Sequence, residues 1–583
     1  MKNRSLHRRA ILSLALPFST LPLASASSQQ NNACAGDPGG ITLPSGFCAT
    51  VFADGIGHAR HLAVAQDGTV YVNTWSGSYY KGGKAPAGGF LVALKDTKGD
   101  GHADVIEPFG GTLAEGDHGG TGIGLYNGGL YAETNDRVVR YQLNGGEIVP
   151  KGKPEIIVTG LPLGGDHPMH PFAIDARGNL YIDSGSATNS CQERNRMPDS
   201  LGERPCTELK ARAGIWRYDA DARDQYFSPR ERFSTGLRNG EGISFDEAGR
   251  IFATQHGRDQ LAENWHGFYS SEEGQNQPAE ELVELKAGAD FGWPECYYDD
   301  VQKKLVLAPE YGGDGGKTVG ICAEKTPPVA AFPAHWAPND MLIYKGTLFS
   351  PPYRGGAFIA FHGSWNRAPG PQGGYNVVFQ PLANGKPDGP FIIFADGFAG
   401  PVKEPGEALA RPSGLAVGPD GSLYVSEDVR GRVWRITYQG NPQSKNLLSA
   451  PPAGGEATAG NAEPPEGIHP EASLETLPVP PGETRDQVKL GDRIFHGEVG
   501  GASCAACHGE NAEGTPVGPS LEGGKWLWGD GSLPAITRTI KAGVPDPKKY
   551  PGAMPPVGGT ELSTPETAAV AAYVWAISRQ KQK

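Results

Sequence analysis

The sequence predicts a mainly β chain, a six-bladed β-propeller followed by a small all-α domain, and three observations carry that expectation. Gly (84) and Pro (50) are abundant over 583 residues, which favours short strands and turns over long helices. Two strand patterns alternate six times between residues 60 and 440. After Tyr438 that alternation stops, and helical periodicity takes over in residues 487–583.

The first pattern is a turn, with Gly often behind Asp or Asn, running into alternating apolar residues. It occurs as QDGTVYVN from Gln66, NGGLYAET from Asn127, ARGNLYID from Ala176, EAGRIFAT from Glu247, RGGAFIAF from Arg354 and PDGSLYVS from Pro419, each a hairpin signal. The second pattern follows each of these: GFLVALKD from Gly89, RVVRYQLN from Arg137, GIWRYDAD from Gly214, EELVELKA from Glu280, YNVVFQPL from Tyr375 and GRVWRITY from Gly431. A strand pair repeated in this way gives one propeller blade per repeat. The spacing is uneven, and the stretch from Thr254 to Arg354 reads as loops building one face of the propeller.

The ends of the chain have other characters. Residues 1–26 combine a basic start, an apolar stretch from Ala10 to about Ala24 and an Ala-Ser-Ala before Ser27, the layout of a signal peptide for export to the periplasm. Cleavage there removes four basic residues and no acidic one, so the formal charge moves from −13 to −17. Such a chain avoids nucleic acid and anionic membrane and attracts a basic redox partner. No later run is long and apolar enough to predict stable membrane insertion. Of eight cysteines, Cys34, Cys48, Cys191, Cys206, Cys296 and Cys322 form an even set suited to an oxidising compartment. Of the fifteen possible pairings, nearest neighbours close three short loops and are expected: Cys34 with Cys48, Cys191 with Cys206, Cys296 with Cys322.

The propeller is expected over residues 40–440, and a Pro/Ala/Gly-rich linker over 441–486. Residues 487–583 open on a helix at GETRDQVKLGDRIFHGE and close on another at PETAAVAAYVWAIS. Between them CAACH places Cys504 and Cys507 for thioether attachment of a haem c, with His508 beside them as an axial ligand. Met554, the domain's single methionine, is the expected second ligand of the iron, and Met/His ligation raises the potential so that the haem accepts electrons. This domain resembles class I cytochromes c. It requires an electron source, and the propeller is the candidate.

Four segments in order, GGDHPMHPFAIDARGNLYIDSGSATNSC, TGLRNGEGISFDEAGRIFATQHGRDQL, FHGSWNR and LARPSGLAVGPDGSLYVSED, resemble the glucose/sorbosone dehydrogenase family. Its members are six-bladed propellers that use pyrroloquinoline quinone (PQQ) with Ca²⁺, and the fused haem domain is most similar to the sorbosone or pyranose dehydrogenase branch. The resemblance implies that His167 is the base that takes the sugar hydroxyl proton, with His170 three positions away as the confounder. It places Arg238 and Asn239 at the quinone oxygens, Arg411 at a PQQ carboxylate, and His118 more weakly at the cofactor. It puts the backbone carbonyls of Gly257 and Arg258 on Ca²⁺, a hard cation that takes oxygen ligands. The pattern departs where the family carries a lysine on the cofactor: here stands His362, with Arg367 restoring charge. Ser186 replaces the aspartate that orients the base, and Ser413 the second arginine of the carboxylate pair, which puts glucose itself in doubt as the substrate. DTKGDGHAD, Asp96–Asp104, is a further Ca²⁺-loop candidate of structural character, equally well read as a solvated hairpin.

The function expected from these residues is a dehydrogenase oxidising a sugar or sugar aldehyde, passing electrons through haem c to an external redox acceptor. The alternatives are a propeller lactonase, which leaves the haem without a purpose, and a carbohydrate-binding propeller carrying a cytochrome.

Overall fold

The computed structural model describes residues 34, 37–75, 88–367, 371–404, 407–452, 474, 477–496, 504–505, 507–509, 512, 514, 518–545, 547–550, 554–558 and 562–579, with the backbone of 506 and 559. The expected signal peptide, residues 1–26, lies outside them.

Six sheets of four or more strands form the propeller, antiparallel but for Gln225–Tyr226, which pairs in parallel with Glu155–Thr159. In five of them four strands follow one another along the chain, as in the first blade: Ala59–Val64, Val70–Thr74, Leu91–Lys95 and Val105–Phe109. The sixth is closed from both ends of the domain, because Phe47–Ala53 pairs with Val433–Tyr438, so that Phe47 lies opposite Tyr438 and Val51 opposite Trp434. Closure of this kind fastens the two ends of the domain into one blade. The first strands of successive blades touch one another in an unbroken cycle around the axis, starting and ending at Ala59–Val64.

The two sequence patterns are the second and third strands of every blade, without exception. Their alternation packs apolar residues between neighbouring blades, as where Phe358, Phe379 and Phe394 meet Val425 and Trp434 in one core cluster. The stretch 254–354 differs from its reading as loops. It holds the outer strands of the fourth blade, Glu280–Leu285 and Ala330–Phe332, and the inner strand of the fifth, Pro338–Ile343. It also holds a separate hairpin, Cys296–Asp299 with Lys304–Leu307.

All three expected disulfides are present, Cys34–Cys48, Cys191–Cys206 and Cys296–Cys322.

In the C-terminal domain, helices Arg485–Phe495 and Thr564–Ile577 pack together, and a third, Leu533–Ala542, lies against the second. Gly491 permits the first crossing, since a Cβ there would meet the carbonyl oxygen of Ala569 at 1.9 Å. Both ends of the segment read as linker are packed. Tyr353 Oη donates to Leu448 O at 3.1 Å on the propeller side, and Leu477 is buried in the helical core. The apolar side chains of Leu447, against the propeller core, and Leu477 within the Pro/Ala/Gly-rich run account for this; residues 453–473 lie outside those described. Among the described residues no helix is long and apolar enough to cross a membrane.

Candidate functional site

Adjacent antiparallel strands run in opposite directions, so the start of a blade's first strand and the end of its second lie at the same end of the hub. His167 precedes Phe172–Ile174, Ser186 follows Asn179–Ser184, and Arg238 and Asn239 precede Ile243–Phe245. Gly257, Arg258 and Asp259 follow Ile251–Gln255; His362 follows Ala357–Phe361; Arg411 precedes Pro412–Val417; Asp428 follows Leu423–Glu427. Topology thus collects most of the expected site residues at one end.

His167 is buried, and its Nδ1 lies 2.9 Å from Ser186 O and 3.0 Å from Ser186 Oγ. The carbonyl only accepts, and the hydroxyl is already donating to Thr188 O at 2.6 Å. Nδ1 therefore carries the proton, and Nε2 keeps the lone pair. Burial and the neighbouring Arg238 charge hold the imidazole well below its ordinary pKa, so it is neutral at neutral pH. Gly185 is required here, because a Cβ would stand 2.6 Å from His167 Cβ and 2.8 Å from Asn239 Oδ1. His170 is different: wholly buried, it gives its backbone N–H to Glu133 Oε1 at 2.8 Å, with Nδ1 3.3 Å from the same oxygen. It belongs to the packing of the second and third blades.

Ser186 N donates to Arg238 O at 2.7 Å, which ties the base to the guanidinium element. Arg238 donates from Nε to Asn189 O at 3.1 Å, from Nη1 to Gly257 O at 2.9 Å, and from Nη2 to Asn189 Oδ1 at 3.0 Å and Asp259 Oδ2 at 2.7 Å. The two guanidinium groups of Arg238 and Arg196 hold the Asp259 carboxyl far below the carboxylate range, in spite of its burial. Asn239 Nδ2 donates to Glu241 Oε1 at 3.1 Å, while its Oδ1 is buried with no protein partner. From Glu241 the network continues through Arg60, 3.0 Å away, to Asp428 at 2.7 Å and on to His362 Nε2 at 2.9 Å. Arg411 extends it, donating to His362 O at 3.1 Å and Gly363 O at 2.8 Å. Burial lowers His362 to about 4 and His256, beside Arg238, to about 3.

The structure therefore brings His167, Arg238, Asn239, Gly257, His362 and Arg411 into one bonded network. Arg258 follows Gly257 in the chain, and its side chain turns into the ion pair with Glu310. Arg367 stands apart, tied to the carbonyls of Gln275 (2.8 Å), Ala334 (3.0 Å) and Pro371 (3.3 Å), whereas His118 is exposed at the start of Gly119–Tyr126, the first strand of the second blade, at the same end of the hub. Ser413 is buried and donates to Ala59 O at 2.7 Å. Asp259, Asn189, Arg60, Glu241 and Asp428 are site residues that sequence reading missed. Asp259 was within reach, since it stands in the quoted QHGRDQ run.

The donor chemistry of the network fits a polyanionic quinone: guanidinium groups, neutral imidazoles and the unpartnered Asn239 Oδ1 are gathered at one end of the hub. For a divalent cation it offers backbone oxygen alone. Among the described residues no group of three His, Cys, Asp or Glu is placed to hold a metal ion. Gly257 O has a second lone pair beyond the one Arg238 uses. In the DTKGDGHAD loop, Asp96 accepts the backbone N–H of Gly99 at 2.6 Å and of Gly101 at 2.8 Å, and Asp104 takes Thr97 N and Oγ1 at 2.7 Å each.

The helical domain fits a haem. His508 Nδ1 donates to Pro519 O at 2.8 Å, which fixes the tautomer and leaves Nε2 for iron. Cys504 and Cys507 are thiols rather than a disulfide. Met554 is partly buried against the helical core, bridged to Val544 by backbone hydrogen bonds of 2.7 and 3.0 Å.

A propeller with a cationic, histidine-bearing hub, joined to a cytochrome c domain, is the class that these features define. The chain belongs to the TrAA12-like family, whose model matches residues 41–439, and residues 488–578 match the cytochrome c family. A pyrroloquinoline quinone-dependent pyranose dehydrogenase of Coprinopsis cinerea is 31% identical over 235 residues, covering 36% of this chain and 31% of the relative. The chain thus matches about a third of that relative's length. A cbb3-type cytochrome c oxidase subunit FixPc of Rhizobium leguminosarum bv. viciae is 42% identical over 88 residues, 14% of this chain and 30% of the relative. Among solved structures, the calcium structure of Trichoderma reesei Carbohydrate-Active Enzymes Family AA12 superposes with a TM-score of 0.55 at 20% identity, covering 71% of this chain and all of that one. The holo PQQ domain of the Coprinopsis cinerea pyranose dehydrogenase superposes with 0.53 at 21%, covering 68% and 97%. These superpositions support the propeller fold.

Proposed function

We propose that the protein is a periplasmic quinohaemoprotein dehydrogenase that oxidises a sugar or sugar aldehyde and delivers the electrons through haem c to an external acceptor. The observation that carries this reading is the locked His167 tautomer beside the Arg238 guanidinium, in a chain that also carries a haem-attachment motif. The Coprinopsis relative's name supplies the cofactor and the substrate class. Export is supported by the leader-like N-terminus and by three disulfides in the propeller.

PQQ, when bound, supplies an ortho-quinone that takes a hydride from the carbon bearing the reacting hydroxyl. Arg238 and Asn239 would face its quinone oxygens, with Arg411 and His362 toward its carboxylates. The carbonyls of Gly257 and Arg258 would hold Ca²⁺, with Gly257 O shared with Arg238 Nη1. His167 takes the hydroxyl proton at Nε2, because Nδ1–H is committed to Ser186. The imidazolium so formed is strained by burial and by Arg238, which drives the proton on to water. Arg238 places a fixed positive charge where electron density accumulates.

The test adds PQQ and Ca²⁺ to the purified full-length protein and screens aldoses, ketoses and osones while following the haem absorption band. Sugar-dependent haem reduction that disappears with a chelator and returns with Ca²⁺ is the expected result. A haem that stays oxidised with every sugar overturns the reading in favour of a binding propeller.

A further inference from the structure

The helical turn Thr207–Lys210 carries none of the hub groups described above, yet it and the residues after it reach both halves of the His167–Ser186 pair. Arg212 is 7% exposed, and its guanidinium donates only to main-chain carbonyls. Nη1 donates to His167 O at 3.1 Å and Gly185 O at 3.4 Å, and Nη2 to Leu163 O at 2.8 Å. A buried guanidinium is costly unless its donors are satisfied, and its planar fork reaches several acceptors at fixed angles where an ammonium reaches one point. Arg212 thereby ties the loop that carries the base, Leu163 to His167, to Gly185 at the end of the neighbouring strand.

Glu208 works from the other side. Its Oε2 accepts Ala187 N at 2.6 Å and Thr188 N at 3.2 Å, and its Oε1 accepts the Thr188 hydroxyl. Thr188 O is the acceptor of the Ser186 hydroxyl proton, so Glu208 fixes the group that keeps Ser186 Oγ an acceptor towards His167 Nδ1. Ser186 O also takes the backbone N–H of His167 at 3.2 Å. The turn itself is anchored. Its N-terminal neighbour Cys206 is bonded to Cys191, Ser184 Oγ donates to Ala211 O at 3.0 Å, and Arg212 N donates to Glu208 O at 2.9 Å. Ala213 is held at φ 57°, in the left-handed region that side chains avoid, and its carbonyl accepts Gly236 N at 2.9 Å and Leu237 N at 3.2 Å.

We propose that Glu208 and Arg212 form a clamp that aims the His167 imidazole, Arg212 through the carbonyls of Leu163, His167 and Gly185, and Glu208 through the Ala187 and Thr188 donors behind Ser186. That the aimed group is a base rests on the functional reading above. Both are positioning residues, since neither bonds to a ring nitrogen of His167. Their effect falls on proton transfer: the hydroxyl O–H bond breaks and an N–H bond forms at Nε2 as the adjacent carbon gives up its hydride. That transfer needs Nε2 within hydrogen-bond reach of the hydroxyl, and a displacement of about 1 Å can cost on the order of 10²-fold in rate.

The test reads the imidazole and the reaction separately. In the full-length protein labelled with ¹⁵N-histidine, without quinone or sugar, two-bond proton–nitrogen correlations report each tautomer, and His167→Gln identifies the His167 signals. The parent should show Nδ1 protonated and Nε2 bare, and Arg212→Met should replace that single pattern with an exchanging mixture. In the protein loaded with PQQ and Ca²⁺, the same variant should lower kcat by roughly tenfold or more, with KM and the quinone Kd within about threefold. Arg212→Lys, which keeps the charge but not the fork, and Glu208→Gln, which keeps the shape but not the charge, should move both readouts in the same direction by less. They carry the test should the Met variant fail to fold. An imidazole pattern that matches the parent overturns the clamp, and so does a parent-like kcat. If no sugar reduces the haem in the parent, the functional reading fails, and the tautomer comparison alone then decides whether the clamp stands.

Discussion

Two histidines three positions apart show how burial alone fails to define a catalytic group. His167 and His170 are both buried, yet His167 spends its Nδ1 proton on Ser186 and keeps Nε2 for a substrate, while His170 is bound into Glu133. His167→Gln should lower the sugar oxidation rate by roughly 10²–10⁴, the range for losing a positioned general base, with little change in melting temperature. His170→Gln should do the reverse, costing about 1–3 kcal/mol of stability through the partner it strands and leaving the rate of the folded fraction near that of the parent. Steady-state kinetics beside thermal melts separate the two; equal rate losses would remove His167 from its role. Ser186 sets the basicity of the same group. As a neutral acceptor it leaves His167 well below its ordinary pKa, so kcat/KM should stay level as pH falls through 6.5. Ser186→Asp places a carboxylate against Nδ1, which favours the imidazolium and raises the pKa by about 1–3 units. The acid limb of kcat/KM then moves to higher pH, and a limb that stays put shows that Ser186 does not control the base.

At the scale of elements, the closing strand Phe47–Ala53 has large leverage, because its pairing with Val433–Tyr438 joins the two ends of the propeller in one sheet. Phe47 anchors it in an aromatic cluster, with ring centroids 4.8 Å from Phe349, 5.1 Å from Tyr353, 4.9 Å from Phe394 and 4.7 Å from Tyr438. Phe47→Ala should cost about 3–5 kcal/mol and lower the propeller's calorimetric transition while the haem spectrum stays unchanged; a shift of only a degree or two would mean that closure rests on the other blades. Strands of this kind also explain what was legible in the sequence. Second and third strands alternate cleanly because both faces pack against neighbouring blades, so Val70–Thr74 and Leu423–Glu427 announce themselves behind their Gly turns. The inner strands do not, because they carry Arg60, His61 and Asp340 into the hub and are interrupted by bulges. The site was legible only where a short run resembled a family, as at His167 and Arg238. Arg196 and Asp259 gain their meaning from a contact between segments about sixty residues apart, which no local pattern records.

Across the whole molecule, burial loads the propeller with titratable groups of two opposing kinds. His61 and His362 are lowered to about 4 and His256 to about 3, each chiefly by burial. Glu280, Glu281 and Glu427 are pushed up to about 8, again chiefly by burial. Below pH 6.5 the unfolded chain takes up protons that the native histidines refuse, so this set costs stability as pH falls towards 4. Above pH 4.5 the unfolded glutamates release protons that the native ones keep, so the second set costs stability as pH rises towards 8. Each proton difference tilts the curve by about 1.4 kcal/mol per pH unit. Between pH 4.5 and 6.5 these two sets act with opposite sign. The melting temperature of the propeller, followed by calorimetry without added quinone, should decline from pH 6.5 to 8, where of these six groups the glutamates alone remain in play, and decline below 4.5, where the histidines alone do. Glu281 makes the cleanest probe, since its Oε2 is buried without a partner. Glu281→Gln removes its share of the alkaline decline and leaves the acid side as it was; a melting temperature that instead climbs between pH 6.5 and 8 would show that the buried glutamates are ionised in the native propeller.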